Sequence, residues 1–106
     1  MSELRNEIAA LLRDEAGDLD QVERTLTDGY AAALSLEAET RRLEQRLAHA
    51  AEHVETGDTE LNAREVSTLA RRLTGRRGDL ASLRALLADL RRHADTLRLS
   101  TVNQSS

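Results

Sequence analysis

The sequence contains no cysteine, proline, lysine, tryptophan or phenylalanine, and Tyr30 is its only aromatic residue of the Phe, Tyr and Trp class. Without cysteine, neither a disulfide framework nor a thiolate metal site is possible. Without proline, and with 5 glycines among 106 residues, few positions would stop a helix. A globular core of this size normally uses aromatic bulk. A core of Leu, Ala, Val and Ile instead predicts helix–helix packing.

Long apolar runs are also absent. No stretch reaches the roughly 18 apolar residues that a membrane span needs, so no membrane association is expected. The start of the chain, MSELRNE, is acidic and amphipathic, and it lacks the basic region and continuous apolar stretch of a signal peptide. We therefore expect a cytoplasmic location.

Apolar residues recur at alternating steps of three and four through the first half of the chain, and only Glu15 interrupts this first frame. Such a heptad pattern predicts one long amphipathic helix. The members of the first frame are Ile8, Leu12, Leu19, Val22, Leu26, Gly29, Ala33, Leu36, Thr40, Leu43, Leu47, Ala50 and Val54.

A second frame of the same kind follows, with Arg76 as its odd member. Between the two frames, Gly57 can supply a helix cap, and Asn62 with Glu65 has the spacing of a capping box. A short connection makes neighbouring helices antiparallel. The members of the second frame are Val66, Leu69, Leu73, Arg76, Leu80, Leu83, Leu87, Leu90, Ala94 and Leu97.

These patterns predict an all-α fold, a long antiparallel helical hairpin of the coiled-coil type with a short N-terminal helix or extension. A single domain would span residues 1–99, with arms over about residues 3–54 and 60–99, a turn at about 55–59 and a polar, frayed tail at 100–106. With the turn near Gly57, residue i should face about residue 115 − i. A two-helix hairpin buries little apolar area, so we expect self-association to complete a bundle.

The N-terminal segment has an apolar face of its own. Gly17 can end a short first helix, and Asp18 with Gln21 has capping-box spacing for the next helix. An exposed apolar face either folds back as a third helix or docks on another chain, and the sequence favours docking slightly. The expected docking surface is an apolar stripe on this segment, formed by Leu4, Ile8, Leu11 and Leu12.

Two glycines interrupt the second half of the chain. Gly75 and Gly78 would each cost a helix about 1 kcal/mol relative to alanine. The second frame nevertheless continues through them without a slip. We therefore predict one continuous helix, and a break there would instead indicate a compact four-helix bundle.

Charge is distributed unevenly around a net charge of −4. Residues 1–60 carry 15 acidic residues and 6 arginines, whereas residues 61–106 carry 4 acidic residues and 9 arginines. This pattern favours charge pairing between the two arms. The rival is nucleic-acid binding, which is disfavoured because the protein is acidic overall and lacks aromatic residues for base stacking. The arginines in question are Arg41, Arg42, Arg46, Arg71, Arg72, Arg76, Arg77 and Arg84.

No arrangement of residues indicates an enzyme, a cofactor or a metal site. His49 and His53 have the i, i+4 spacing of metal-binding histidines, but a catalytic zinc needs a third protein ligand. Glu52 is the best remaining candidate, and His93 should lie far away. A hairpin also lacks the concave pocket that catalysis requires. Tyr30 should pack across the helix interface opposite small residues.

The turn region contains acidic residues that point to a function. The stretch 57–65 resembles the hairpin tip of Gre-type transcript cleavage factors, which insert such a tip into the secondary channel of RNA polymerase. By this resemblance Asp58 would be the first of the acids that hold a catalytic magnesium ion. Leu61 stands where the family has its second acid, and Glu60 lies one position away. The resemblance implies a regulator that inserts an acidic tip into a large machine such as RNA polymerase; the tip residues are Glu55, Asp58 and Glu60.

In length and expected architecture the chain also resembles the small helical-hairpin proteins secreted by type VII systems, although the tryptophan of their turn is absent. Our main hypothesis is a non-enzymatic coiled-coil interaction protein, an adaptor, chaperone or scaffold subunit. It would act by helix-on-helix docking on a protein partner and on a second copy of itself as a homodimer.

Overall fold

The computed structural model describes the backbone of residues 2–14, 17–56 and 59–105, and the side chains of these residues except 54–56, 59–62 and 101–105. Three helices account for nearly all of it: α1 (Ser2–Arg13), α2 (Leu19–Thr56) and α3 (Thr59–Ser105). No strand occurs in these ranges. The helices α2 and α3 pack against each other, which confirms the predicted all-α helical hairpin.

The first predicted arm is divided into two helices. The backbone N–H of Asp14 donates to the carbonyl oxygen of Leu11 at 3.3 Å, and that of Gly17 donates to Asp14 at 3.2 Å. Asp18 then caps α2, because its Oδ1 accepts the N–H of Asp20 at 3.0 Å and thereby satisfies a donor that the first helical turn leaves open. The N-terminal helix predicted from Gly17 and Asp18 is therefore present.

The helix α3 is continuous. It runs for 47 residues through Gly75 and Gly78 and reaches Ser105, within the segment that the sequence assigns to a polar tail. Neither described glycine of this helix has a positive φ. The prediction of one unbroken second helix is confirmed, and the four-helix alternative is wrong.

The chain divides into two compact units. The three-helix unit comprises Met1–Ala33 and Ser82–Ser106, so it contains α1 together with the first part of α2 and the last part of α3. The two-helix unit is Leu34–Ala81 and contains the remaining parts of α2 and α3. Each unit has its own interior.

The interior of the three-helix unit is built from both predicted frames. Val22 of α2 and Leu83, Leu90 and Ala94 of α3 are completely enclosed. Gly29 is buried as well, and a β-carbon there would come within 3.0 Å of the Leu87 side chain. Glycine therefore lets the two helices approach closely at this level.

The two-helix unit has a buried apolar cluster of its own. Its buried cluster consists of Leu43, Ala50, Leu69 and Leu73, with Leu47 and Val66 packed against it. Thr40 is the polar member of the first frame, and its hydroxyl donates to the carbonyl oxygen of Leu36 at 2.6 Å. A buried hydroxyl with such a partner escapes most of the desolvation cost.

No described helix has both the length and the apolar character required to cross a membrane.

Candidate docking surfaces

The apolar stripe predicted on the N-terminal segment, here called the α1 stripe (Leu4, Ile8, Leu11 and Leu12), lies inside the three-helix unit. Ile8 is completely buried and Leu11 is 7% exposed, while Leu4 and Leu12 are half-buried. The helix folds back, which is the alternative that the sequence slightly disfavoured. Burial of an Ile and a Leu side chain gives about 1.5–3 kcal/mol each, and that gain explains why the stripe does not remain exposed.

A polar contact accompanies this burial. Thr25 of α2 is 3% exposed, and its hydroxyl donates to Oε1 of Glu7 in α1 at 3.3 Å. In the part of the chain with described side chains, Leu11 and Thr25 are the only buried residues outside the two frames. The hydrogen bond to Glu7 places Thr25 where α1 contacts α2, and Leu11 is buried on α1 itself.

Charge pairs join α3 to α2 in both units. In the two-helix unit, Arg76 Nε meets Oε1 of Glu39 at 2.9 Å and Arg77 Nη2 meets Oε1 of Glu44 at 2.8 Å. Each pair consists of an α3 arginine and an α2 glutamate, as the division of charge between the arms predicts. Arg76 is thus accommodated in an apolar frame because its guanidinium reaches outwards to a carboxylate.

In the three-helix unit the arginine again belongs to α3 and the glutamate to α2. Arg98 Nη2 of α3 lies 2.7 Å from Oε1 of Glu23 in α2, and Nη1 lies 2.9 Å from Oδ1 of Asp95. The hydrogen bond to Glu23 is the main cause that raises the pKa of Arg98 above its ordinary value. The pair is exposed to solvent, where such contacts contribute little stability.

The remaining arginines of the predicted basic surface differ in their surroundings. Arg84 makes a noncovalent contact with another group, so it is not a free cation. Of this predicted set, the five other arginines have described side chains that are exposed and take part in no ion pair. Arg72 lines a surface groove of about 220 Å³ together with Gly75, Arg76 and Asp79. The unpaired set is Arg41, Arg42, Arg46, Arg71 and Arg72.

The two histidines contact each other. The rings of His49 and His53 have centroids 4.4 Å apart, and Nδ1 of His53 lies 2.9 Å from the carbonyl oxygen of His49. Arg46 and Glu65 line the same groove of about 240 Å³. No group of three His, Cys, Asp or Glu side chains in the described ranges is placed to hold a metal ion.

Two further features were assigned from sequence. Tyr30 is 43% exposed, so the expectation that its ring packs across the helix interface is wrong; Gly29 occupies that interface instead. The acidic tip of Glu55, Asp58 and Glu60 lies outside the described side chains. The structure thus bears on the tyrosine and leaves the tip as a sequence prediction.

An acidic groove lies at the start of α2, within the three-helix unit. Its volume is about 400 Å³, and it is lined by Asp18, Asp20, Glu23, Arg24 and Thr27. Sequence reasoning did not single it out, although three carboxylates within six residues were a visible signal.

Comparison with known proteins returned no relative: no family model, no curated protein and no solved structure matches the chain.

Proposed function

We propose that the chain is a non-enzymatic coiled-coil interaction protein, an adaptor, chaperone or scaffold subunit, that acts by helix-on-helix docking and forms a homodimer. The observation that carries this proposal is the burial of Ile8. A 12-residue helix delivers this side chain into the three-helix unit, where its exposure falls to 0%. That unit therefore has a surface suited to receiving an amphipathic helix.

The way in which α1 is held supports a partner-binding role. Helices shorter than about 12–15 residues are marginal in water on their own, so α1 depends on its docked contacts. Those contacts are two buried apolar side chains, two half-buried leucines and the hydrogen bond from Thr25 to Glu7. A contact of this size can be exchanged for an equivalent one with another helix. The α1 stripe is therefore the proposed docking surface in its undocked state.

Charge would select the partner. The unpaired Arg71 and Arg72 on α3 suit an acidic helix, whereas the groove around Asp18 and Asp20 suits a basic one. Complementary and repulsive charges around an apolar contact discriminate between partners. We expect protein rather than nucleic acid as the partner, because Arg76 and Arg77 are already neutralised by carboxylates. A cytoplasmic location belongs to the same proposal.

The proposal is tested by light scattering over a range of protein concentrations. The parent chain should reach twice its 11.7 kDa mass. The double variant Ile8→Asp, Leu12→Asp should remain at the single-chain mass while circular dichroism retains most of the helicity. Ala10→Asp, which adds one charge to the exposed side of the same helix, serves as the control and should dimerise like the parent.

Two results would contradict the proposal. A parent chain that keeps the single-chain mass at millimolar concentration excludes the homodimer. A double variant that still dimerises shows that the docking surface lies elsewhere.

A further inference from the structure

The helices α1 and α2 share one apolar frame although they are separate helices. Leu12 of α1 and Leu19 of α2 are seven residues apart, which corresponds to two turns of a continuous helix and places both side chains on one face. The sequence therefore supports two arrangements of α1. It can fold back, as observed, or it can continue α2 as a single helix.

The folded-back α1 runs antiparallel to α2. Glu7 and Thr25 are joined by a hydrogen bond, and they lie at equal distances along the chain from the connection between Arg13 and Leu19. Contact partners placed symmetrically about a short connection require the two helices to run in opposite directions.

A twofold axis perpendicular to α2, placed near its first residue Leu19, would keep the antiparallel arrangement of α1 and α2 when the two helices belong to different chains. The axis makes the α2 helices of the two chains antiparallel to each other. An α1 that continues its own α2 would consequently run antiparallel to the partner's α2. It would approach the partner's three-helix unit in the direction in which α1 approaches its own.

We propose that the chain dimerises by exchanging α1 between two copies. Ile8 and Leu11 of each copy then fill the site on the other copy that they fill within the single chain, and Glu7 of each copy accepts the hydrogen bond from Thr25 of the other. This inference rests on the homodimer of the proposed function and specifies its interface. Exchange of an identical element is a low-cost route to dimers, because both forms make the same contacts.

Gly17 and Asp18 favour the folded-back form of α1 over the form in which α1 continues α2. A β-carbon at Gly17 would lie 3.2 Å from the carbonyl oxygen of Asp14, so alanine there is crowded in the folded-back connection but favourable in a continuous helix. Asp18 starts α2 as a new helix by capping it. Short connections of this kind promote exchange.

Cross-linking distinguishes the two forms. The chain has no cysteine, so the double variant Glu7→Cys, Thr25→Cys carries only the two thiols that report on α1. The dimer fraction is isolated, treated with a short thiol cross-linker and run on a denaturing gel. A matched control, Glu39→Cys, Arg76→Cys, places both thiols in the two-helix unit, where the parent residues meet within one chain.

Exchange predicts bands at twice the chain mass for the α1 pair and at the single-chain mass for the control pair. Cross-links within single chains for the α1 pair overturn the exchange and leave the homodimer standing. Linked chains in the control also overturn it, because a longer segment would then be exchanged. A parent without any dimer fraction overturns both this inference and the homodimer.

A second variant tests the balance. Gly17→Ala, Asp18→Ala removes the signals that separate α1 from α2, and the dimer dissociation constant should fall about tenfold. A dissociation constant that is unchanged or higher, measured by sedimentation equilibrium, would overturn the exchange.

Discussion

Gly29 of α2 lies against Leu87 of α3 so closely that a β-carbon at position 29 would come within 3.0 Å of the leucine side chain. Leu87 is itself 3% exposed, so its side chain has little room to move. We expect Gly29→Ala to lower the free energy of unfolding by about 1 kcal/mol or more, because overpacking outweighs the gain in helix propensity. Urea denaturation followed by circular dichroism measures the change.

Gly75→Ala is the matched control for that substitution. Nothing lies within 4 Å of a β-carbon at Gly75, so only the propensity gain remains, and the free energy of unfolding should rise by up to about 1 kcal/mol. Equal effects at the two glycines would refute the close contact between Gly29 and Leu87.

Truncating Ile8 should destabilise the docking of α1 without unfolding the rest of the protein. Removing a buried Ile side chain costs about 2–5 kcal/mol in a cooperative core, but here the loss cannot exceed the free energy that holds α1 in place. We expect Ile8→Ala to release α1 while α2 and α3 stay folded. Hydrogen exchange should accelerate at the amides of residues 2–13, and trypsin should cut sooner after the exposed Arg13.

The converse result for Ile8 is equally informative. If Ile8→Ala accelerates exchange in α3 as much as in α1, the three helices of that unit unfold together. Asn6→Ala, at an exposed position of the same helix, should leave both regions unchanged.

The pair between Glu39 and Arg76 should contribute modestly to stability. Its side chains are 35% and 41% exposed, and pairs with this much solvent contact contribute less than about 1 kcal/mol. A double-mutant cycle with Glu39→Gln and Arg76→Gln should give a coupling free energy in that range. The coupling should shrink as salt screens the charges, and a value that does not change with salt would argue against an ion pair.

The acidic tip separates the main hypothesis from the regulator alternative. The variant Asp58→Lys, Glu60→Lys should leave dimerisation and partner capture unchanged if the α1 stripe is the docking surface. Capture of tagged protein from native lysate, with parent and variant side by side, provides the measurement. RNA polymerase subunits that are recovered with the parent and lost with the variant would favour the regulator.

The hairpin and its register could be predicted because the apolar frames carry that information. The expected relation between residue i and about residue 115 − i is met by Glu39 with Arg76, and Gly29 with Leu87 differs from it by one position. The exposed ion pairs of Arg77 and Arg98 differ from it by six positions. The position of α1 could not be predicted in the same way. Its stripe is equally apolar whether it docks on its own chain or on another.

The sequence reasoning was wrong at Tyr30 and overlooked Thr25, for two separate physical reasons. Tyr30 was placed at the interface because it adjoins Gly29 and faces small residues. One residue further along a helix turns the side chain by about 100°, and Tyr30 is accordingly exposed while Gly29 is buried. Leu11 and Thr25, which lie outside the frames, were the available signals for a third helix. Leu11 was assigned to the α1 stripe, whereas Thr25 was overlooked because a threonine gives no apolar signal.

The polarity of the ion pairs has a consequence for how the two long helices recognise each other. In the pairs at Glu23, Glu39 and Glu44 the carboxylate belongs to α2 and the guanidinium to α3. Two copies of α2 laid side by side would oppose glutamate to glutamate, and two copies of α3 would oppose arginine to arginine. In a chain severed in the connection between α2 and α3, these charges would therefore favour pairing of unlike halves over like halves, so that the two helices of this hairpin behave as complementary peptides.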